Sequence, residues 1–492
     1  MFDDWRLQKG QKVPKTTITK QGITVDSIKE ELIDSDDLIV REIVMNEERK
    51  FHVIAIDGLI NSLLVDQNIL KPLMNLIEEE KNKTYRVNIT PIFERMEMGE
   101  IPHIEMKVNS DRNQIISQIL SGFVCVLDSS VNDRGITFDT KGFEKRSFTE
   151  PSNENIIKGS KESFNETLRD NTALLRRRIK SKDLKIKEFE IGENTNTKIA
   201  IVYIEGITDK RILEEIITRV KKMKLPKIIS LSSFEEQLVD DKYSIFPSMQ
   251  YTERVDKLTS NLLEGDVGIL IDGLPIVYTA PVVFNMLFQV PEDYSSNYMM
   301  ASMIRIIRYI AAFISLIVPA FYLAVTSFHT EMLPTELAIS IINSKKGVPF
   351  SSLLEVLFIL FAFEMLIEAG ARLPKLIGQT MSIVGGLIVG DAAVSARFTS
   401  PAVVVIIAIA GITGFLIPNQ DLSNSFRILR LVLVLLTSIA GMYGLAIGLI
   451  LILYYLSKKE SFGVPYLIPF TSNKFRNITK DTFLRGISSD KQ

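Results

Sequence analysis

The chain has 492 residues, 46% of them apolar, with 57 lysines and arginines against 59 aspartates and glutamates. That near balance conceals two different solvents, since residues 301–492 hold 16 basic and 10 acidic residues whereas residues 1–300 hold 41 and 49. Single Cys125 excludes a disulfide framework or a cysteine zinc site within one chain, and the scattered His52, His103 and His329 give no HExxH or other close ligand spacing, so neither a metal centre nor a cofactor is expected.

Residues 1–45 begin MFDDWRLQKGQKVPKTTITKQG, lack the apolar stretch of a secretory signal, and read as a polar tail that leaves the long hydrophilic part in the cytoplasm. A first α/β subdomain is expected over 46–146. Its segment KFHVIAIDGLINSLLV, residues 50–65, reads as a buried strand, an acidic turn at Asp57 and Gly58, and a helix continuing through NILKPLMNLIEEE. Residues 114–138 then read as helix, turn at Gly122, strand, loop, strand.

A charged linker follows over 147–190. It ends its polar run in Arg176, Arg177 and Arg178, for which an intersubunit or headgroup-facing contact is expected, with a solvated helix face as the alternative. Aromatics are not interleaved with these charges and the half is acidic, so nucleic acid is not an expected partner.

The second α/β subdomain, 191–295, repeats the plan of the first. KIAIVYIEGITDKRILEEIITRVKKM (198–223) turns at Glu205 and Gly206, and residues 255–279 match residues 114–138 with Gly265 in the place of Gly122. The two glycine pairs are separated by 148 and 143 residues, and similarity in the same order at nearly one offset implies a duplication. An acidic residue at each turn would repel phosphate, and no GxGxxG or GxxxxGK[ST] motif is present, so the glycines are read as tight connections.

A transmembrane domain of four or five helices is expected over 301–460, before a C-terminal tail at 461–492. Tyr309–Phe328 is uncharged and long enough to cross a hydrocarbon core of roughly 30 Å, with a kink expected at Pro319. Two further uncharged runs, Phe398–Gln420 and Leu431–Ser457, meet the same length requirement. In 353–373, Glu364, Glu368 and Arg372 share one helix face; an interfacial helix, a full span with a polar seam and a re-entrant helix all fit. The Lys and Arg flanking the spans do not decide the topology.

Residues 376–396 are rich in small side chains. Gly378, Ser382, Gly386 and Gly390 form a stripe that either lines a pore or packs helices, and Asp391 at its end would attract cations if it faces water. The fold class is therefore α+β, two duplicated soluble α/β subdomains followed by a helical multipass membrane domain. No convergent nucleophile, base or metal set is found, so a non-enzymatic role is expected.

The phrases TEPSNENIIKGSKESFNETLRDNTALLRRRI, GDVGILIDGLPIVYTAPVVF, PEDYSSNYMMASMIRIIRY, SFHTEMLPTELAISI, EAGARLPKLIGQTMSIVGGLIVGDAAVSARFTSP and FGVPYLIPF, in this order, resemble the GerA family of spore germination proteins, in particular the A subunits of germinant receptors. The resemblance covers about 110–470. It implies a multipass protein of the spore inner membrane, partnered by a permease-like B subunit and a lipoprotein C subunit. It also implies a homo-oligomer, with five copies the expectation, that acts as a channel and converts a nutrient signal into ion release. A relative in the SpoVA operon shares these blocks, so an accessory germination channel remains an alternative, as does a secondary solute transporter.

Overall fold

The computed structural model describes residues 22–47, 49–82, 91–103, 105–142, 154, 159–223, 231–372, 390–471 and 481–486. They divide into two compact units, one made of residues up to 242 with 249–281, the other of 243–248 with 282–490.

The first unit contains two sheets. It begins with α1 (Val25–Glu31), whose start is fixed by Thr24 accepting from the Ser27 N–H. There follow β1 (Leu38–Val44), β2 (Lys50–Ile56), a helix α2 over 62–82, β3 (Met106–Asn109), α3 (Arg112–Ile119), β4 (Phe123–Asp128) and β5 (Gly135–Asp139). The strands lie in the order β1-β2-β4-β5-β3, every neighbour antiparallel. Residues 25–44 are thus part of this sheet and its cover, which corrects the reading of 1–45 as a tail. The reason is that β1 is an edge strand whose LIVREIV alternates between half-buried and exposed positions, a pattern easily taken for a solvated segment.

Every residue of β4 is buried because both faces of the sheet are covered. Phe51, Val53 and Val126 meet Ile69, Leu73 and Ile77 of α2 on one side. Ile54, Ile56 and Cys125 meet Ile28 of α1 and Ile115 and Ile119 of α3 on the other.

Helix α4 (Leu168–Arg178) then leads to β6 (Leu184–Ile191), β7 (Thr197–Ile204), α5 (Lys210–Lys222), β8 (Gln250–Thr252), α6 (Val255–Leu263), β9 (Val267–Ile271) and β10 (Val277–Ala280). The order β6-β7-β9-β10-β8 reproduces that of the first sheet, again wholly antiparallel. The glycines paired in the sequence occupy matching places. A Cβ on Gly122 would come within 3.0 Å of the Leu59 carbonyl, and one on Gly265 within 3.2 Å of the Ile207 carbonyl, so each needs glycine for the same close approach. The linker is not merely solvated, because α4 gives Ala173 to the core of the first sheet and Leu168 and Leu175 to that of the second.

The helical unit starts at Val282, ahead of the expected limit at 295. It contains α7 (Tyr298–Ser327), α8 (Thr335–Lys345), α9 (Ser352–Arg372), α10 (Pro401–Gly414) and α11 (Gln420–Lys458). Among the described residues α7 and α11, the latter counted across both its arms, are the helices long and apolar enough to cross a membrane. Helix α7 continues through Pro319. Helix α10 has 14 residues, roughly 21 Å, which is shorter than the span expected over Phe398–Gln420.

Helix α11 is a hairpin. Gly441 leaves the helical region at φ 58° and ψ −133°. Beyond it, a Cβ on Gly444 would lie 2.2 Å from the Leu436 carbonyl, and one on Gly448 would lie 2.5 Å from Leu433 Cδ2. Residues 433 and 448 would stand roughly 22 Å apart along a straight helix. Both ends of the hairpin also meet one loop, since Phe246 packs on Phe426 at 6.4 Å and on Tyr455 at 6.0 Å between ring centroids. The single span expected over Leu431–Ser457 is therefore two arms folded back to back, because only glycine accepts this turn and only small residues let the backbones meet.

The segment that leads into α7 and the segment that follows α11 lie together. The Val282 N–H donates to Ser461 Oγ at 3.1 Å and the Phe284 N–H to the Tyr466 carbonyl at 2.8 Å. At the opposite end Phe328, just past α7, packs where a Gly441 side chain would be.

Candidate functional site

Charged side chains placed within apolar helices are the chemically informative groups of the helical unit, because each needs a partner there. The described residues hold three such clusters.

The first fastens the start of α7. Arg305 and Arg308 lie one turn apart, and both reach Asp293, at 3.0 and 2.8 Å. Arg305 also binds Asp481 at 2.9 Å, and the Tyr294 hydroxyl donates to the same carboxylate at 3.0 Å. Gln289 donates to the Asp481 carbonyl at 2.6 Å, so the C-terminal segment is held to the helix start by main chain and side chain together.

The second cluster joins α9 to the first arm of α11. Glu364 accepts from Arg427, and its other oxygen lies 3.9 Å from Arg430. Asn424 accepts from Arg427 at 3.0 Å. Two guanidinium groups share this carboxylate.

The third lies at the start of α10. Glu355, on the first turn of α9, is buried and accepts from the Ser400 N–H at 2.7 Å, placing its negative charge at a helix N-terminus. Lys345 sits over the nearby Tyr322 ring at 6.0 Å and donates to Ser352.

The residues singled out from sequence separate in this arrangement. Arg372 binds Glu368 at 2.8 Å on an exposed face, as their spacing allows, but Glu364 turns from that pair to α11. Gly378, Ser382 and Gly386 lie outside the described residues. A Cβ on Gly390 would meet Val404 at 3.6 Å, an ordinary packing distance, and Asp391 is exposed.

Arg176 departs from the expected outward contact. Its side chain is 0% exposed and makes a two-pronged pair with Asp37 at 2.7 and 2.8 Å, while its Nη1 donates to the Leu184 carbonyl at 2.8 Å. It ties the two sheets together, because α4 is wedged between their cores. Arg177 and Arg178 both face Glu162, at 3.8 and 2.7 Å.

Sequence reasoning missed Asp293, Glu355, Asp481 and the Glu364–Arg427 pairing. The available signals were charges within or beside apolar runs and the one-turn spacing of Arg305 and Arg308.

Comparison with known proteins gives these features a family. The family model described as "Bacillus/Clostridium GerA spore germination protein" matches residues 26–492. "Spore germination protein KA" of Bacillus subtilis is 36% identical over 459 residues, covering 93% of this chain and 82% of the relative. "Uncharacterized membrane protein YfkQ" of the same organism is also 36% identical, over 92% of this chain and 86% of its own length. Among solved structures, the N-terminal domain of the A subunit of the Bacillus megaterium spore germinant receptor GerK3 matches 55% of this chain and 98% of its own, at 24% identity and a TM-score of 0.42. With one family covering nearly the whole length, this chain belongs to the GerA family of spore germination proteins.

Proposed function

We propose that the chain is the A subunit of a spore germinant receptor, a membrane subunit that converts a nutrient signal into ion release. The observation that carries the reading is the family match over residues 26–492, which takes in α7, of membrane-crossing length and composition, and the apolar hairpin α11. In this reading the helical unit sits in the spore inner membrane and the two-sheet unit is cytoplasmic. The C-terminal tail returns to the cytoplasmic side, since the segment after α11 is bonded to the segment that leads into α7. A permease-like B subunit, a lipoprotein C subunit and further copies of this chain, five in all, complete the receptor. The stripe ending in Gly390 and Asp391 lines the ion path.

Reconstitution tests this directly. The chain purified with its B and C subunits into potassium-loaded liposomes should release potassium when nutrient is added. Nutrient-independent retention of the ion by an assembled complex would overturn the channel role, and a chain extracted from spore membranes by alkaline carbonate would overturn the membrane placement.

A further inference from the structure

The cluster of Glu364, Arg427 and Arg430 does not balance its own charge. Two guanidinium groups face one carboxylate, leaving a net positive charge. Arg430 is 2% exposed, and its Nη1 is buried with no hydrogen-bond partner among the described residues. An unused guanidinium N–H away from water is costly, and a buried charge with only half a counterion more so. The arrangement is therefore incomplete without a further acceptor.

The surroundings specify what that acceptor is. Arg427 and Glu364 form an accessible rim, 25% and 31% exposed, above the buried Arg430. Phe361 and Met365 flank Glu364 on α9, and Ile428 and Leu431 flank the arginines on α11, all with exposed apolar side chains. The site lies close to the end of the hairpin that holds both its termini, since adjacent Ser425 donates to the Ile245 carbonyl. An oxyanion attached to apolar chains meets every one of these features. Basic pockets between membrane helices, near the surface, recognise phospholipid headgroups by this combination.

We propose that Arg427 and Arg430 form a headgroup site for an anionic phospholipid, with its phosphate on Arg430 and its acyl chains along Phe361, Met365, Ile428 and Leu431. Glu364 is the internal competitor, a carboxylate that holds the guanidinium groups until a lipid phosphate displaces it. The inference rests on the membrane placement given under the proposed function.

The test uses the full chain in nanodiscs of phosphatidylcholine with increasing phosphatidylglycerol, reading bound lipid by native mass spectrometry. Glu364→Gln should bind phosphatidylglycerol about tenfold more tightly and Arg430→Gln about tenfold more weakly, the scale of one charge-assisted hydrogen bond gained or lost. Because Arg430→Gln could fail to fold, Arg427→Gln is measured beside it and should weaken binding in the same sense. Unchanged phosphatidylglycerol binding in Glu364→Gln overturns the proposal, as does inorganic phosphate giving the same Arg430-dependent stabilisation in pure phosphatidylcholine. Loss of receptor assembly in the arginine variants with lipid binding intact would assign the acceptor to a partner's carboxylate and also overturn it. Alkaline extraction separates the two readings: a chain that leaves the membrane refutes the membrane placement, and one that stays without lipid preference refutes this site alone.

Discussion

Arg176 in the two-sheet unit and Arg430 in the helical unit are both buried arginines, yet their surroundings differ in kind. Arg176 has a carboxylate of its own, met through two nitrogens, and carbonyl and hydroxyl acceptors for the rest of its fork. Arg430 shares one carboxylate with Arg427 and has a nitrogen with no partner among the described residues. A buried charge whose hydrogen bonds are all supplied within the fold acts as a strut, whereas one left half supplied is poised for something from outside.

The largest effect should come from removing the strut. Arg176→Leu leaves Asp37 buried without its counterion, and a loss of about 3–5 kcal/mol is expected in chemical denaturation of the two-sheet unit. Arg176→Leu combined with Asp37→Leu should recover much of that loss. If the single substitution were neutral, the distinction between the two arginines would collapse.

Next in size are the glycines. Gly444→Ala places a Cβ 2.2 Å from the Leu436 carbonyl, a backbone atom that cannot rotate away, so about 1–3 kcal/mol should be lost in the thermal stability of the solubilised chain. Gly390→Ala, whose Cβ would meet Val404 at 3.6 Å, should be nearly neutral. Equal losses would remove the hairpin seam as the tighter contact.

Asp391 sharpens the comparison from the other side, being an exposed charge with no burial cost. Asp391→Asn should change stability by less than about 0.5 kcal/mol while altering cation flux in the reconstituted complex. Unaltered flux would take Asp391 out of the ion path.

The smallest effect concerns pH. Burial works to raise the Glu154 carboxyl, but Lys257, with Thr252 and the Glu253 N–H, more than offsets it and holds the group below its ordinary range. Its contribution is therefore complete above the ordinary carboxylate value and is lost as the pH falls through the lowered one. Glu154→Gln should cost up to about 1 kcal/mol at neutral pH. Denaturation midpoints of the two proteins should converge in acid below about pH 4. A difference that does not shrink in acid would mean the charge is not what matters.

Much of this was legible in local features. The paired glycines anticipated a repeated subdomain, though not its strand order, because a tight turn and a close backbone approach restrict the residue type at those positions. The uncharged run Tyr309–Phe328 lies within α7 but for its last residue, Phe328, which caps it, because a long apolar run without charges favours one continuous helix. The hairpin was not legible. Leu431–Ser457 contains glycines that are ordinary in membrane helices, and nothing in the run marks Gly441 as the one that turns.

By itself the sequence determined the family, the split between a charged half and an apolar half, and the repeat within the charged half, because these depend on residue types and spacing along the chain. Tertiary structure alone decided which charges are neighbours. Arg176 meets Asp37 across 139 residues and Arg427 meets Glu364 across 63. The cost of burying a charge falls at once, but the group that offsets it is chosen by how helices and sheets pack, which no local pattern encodes.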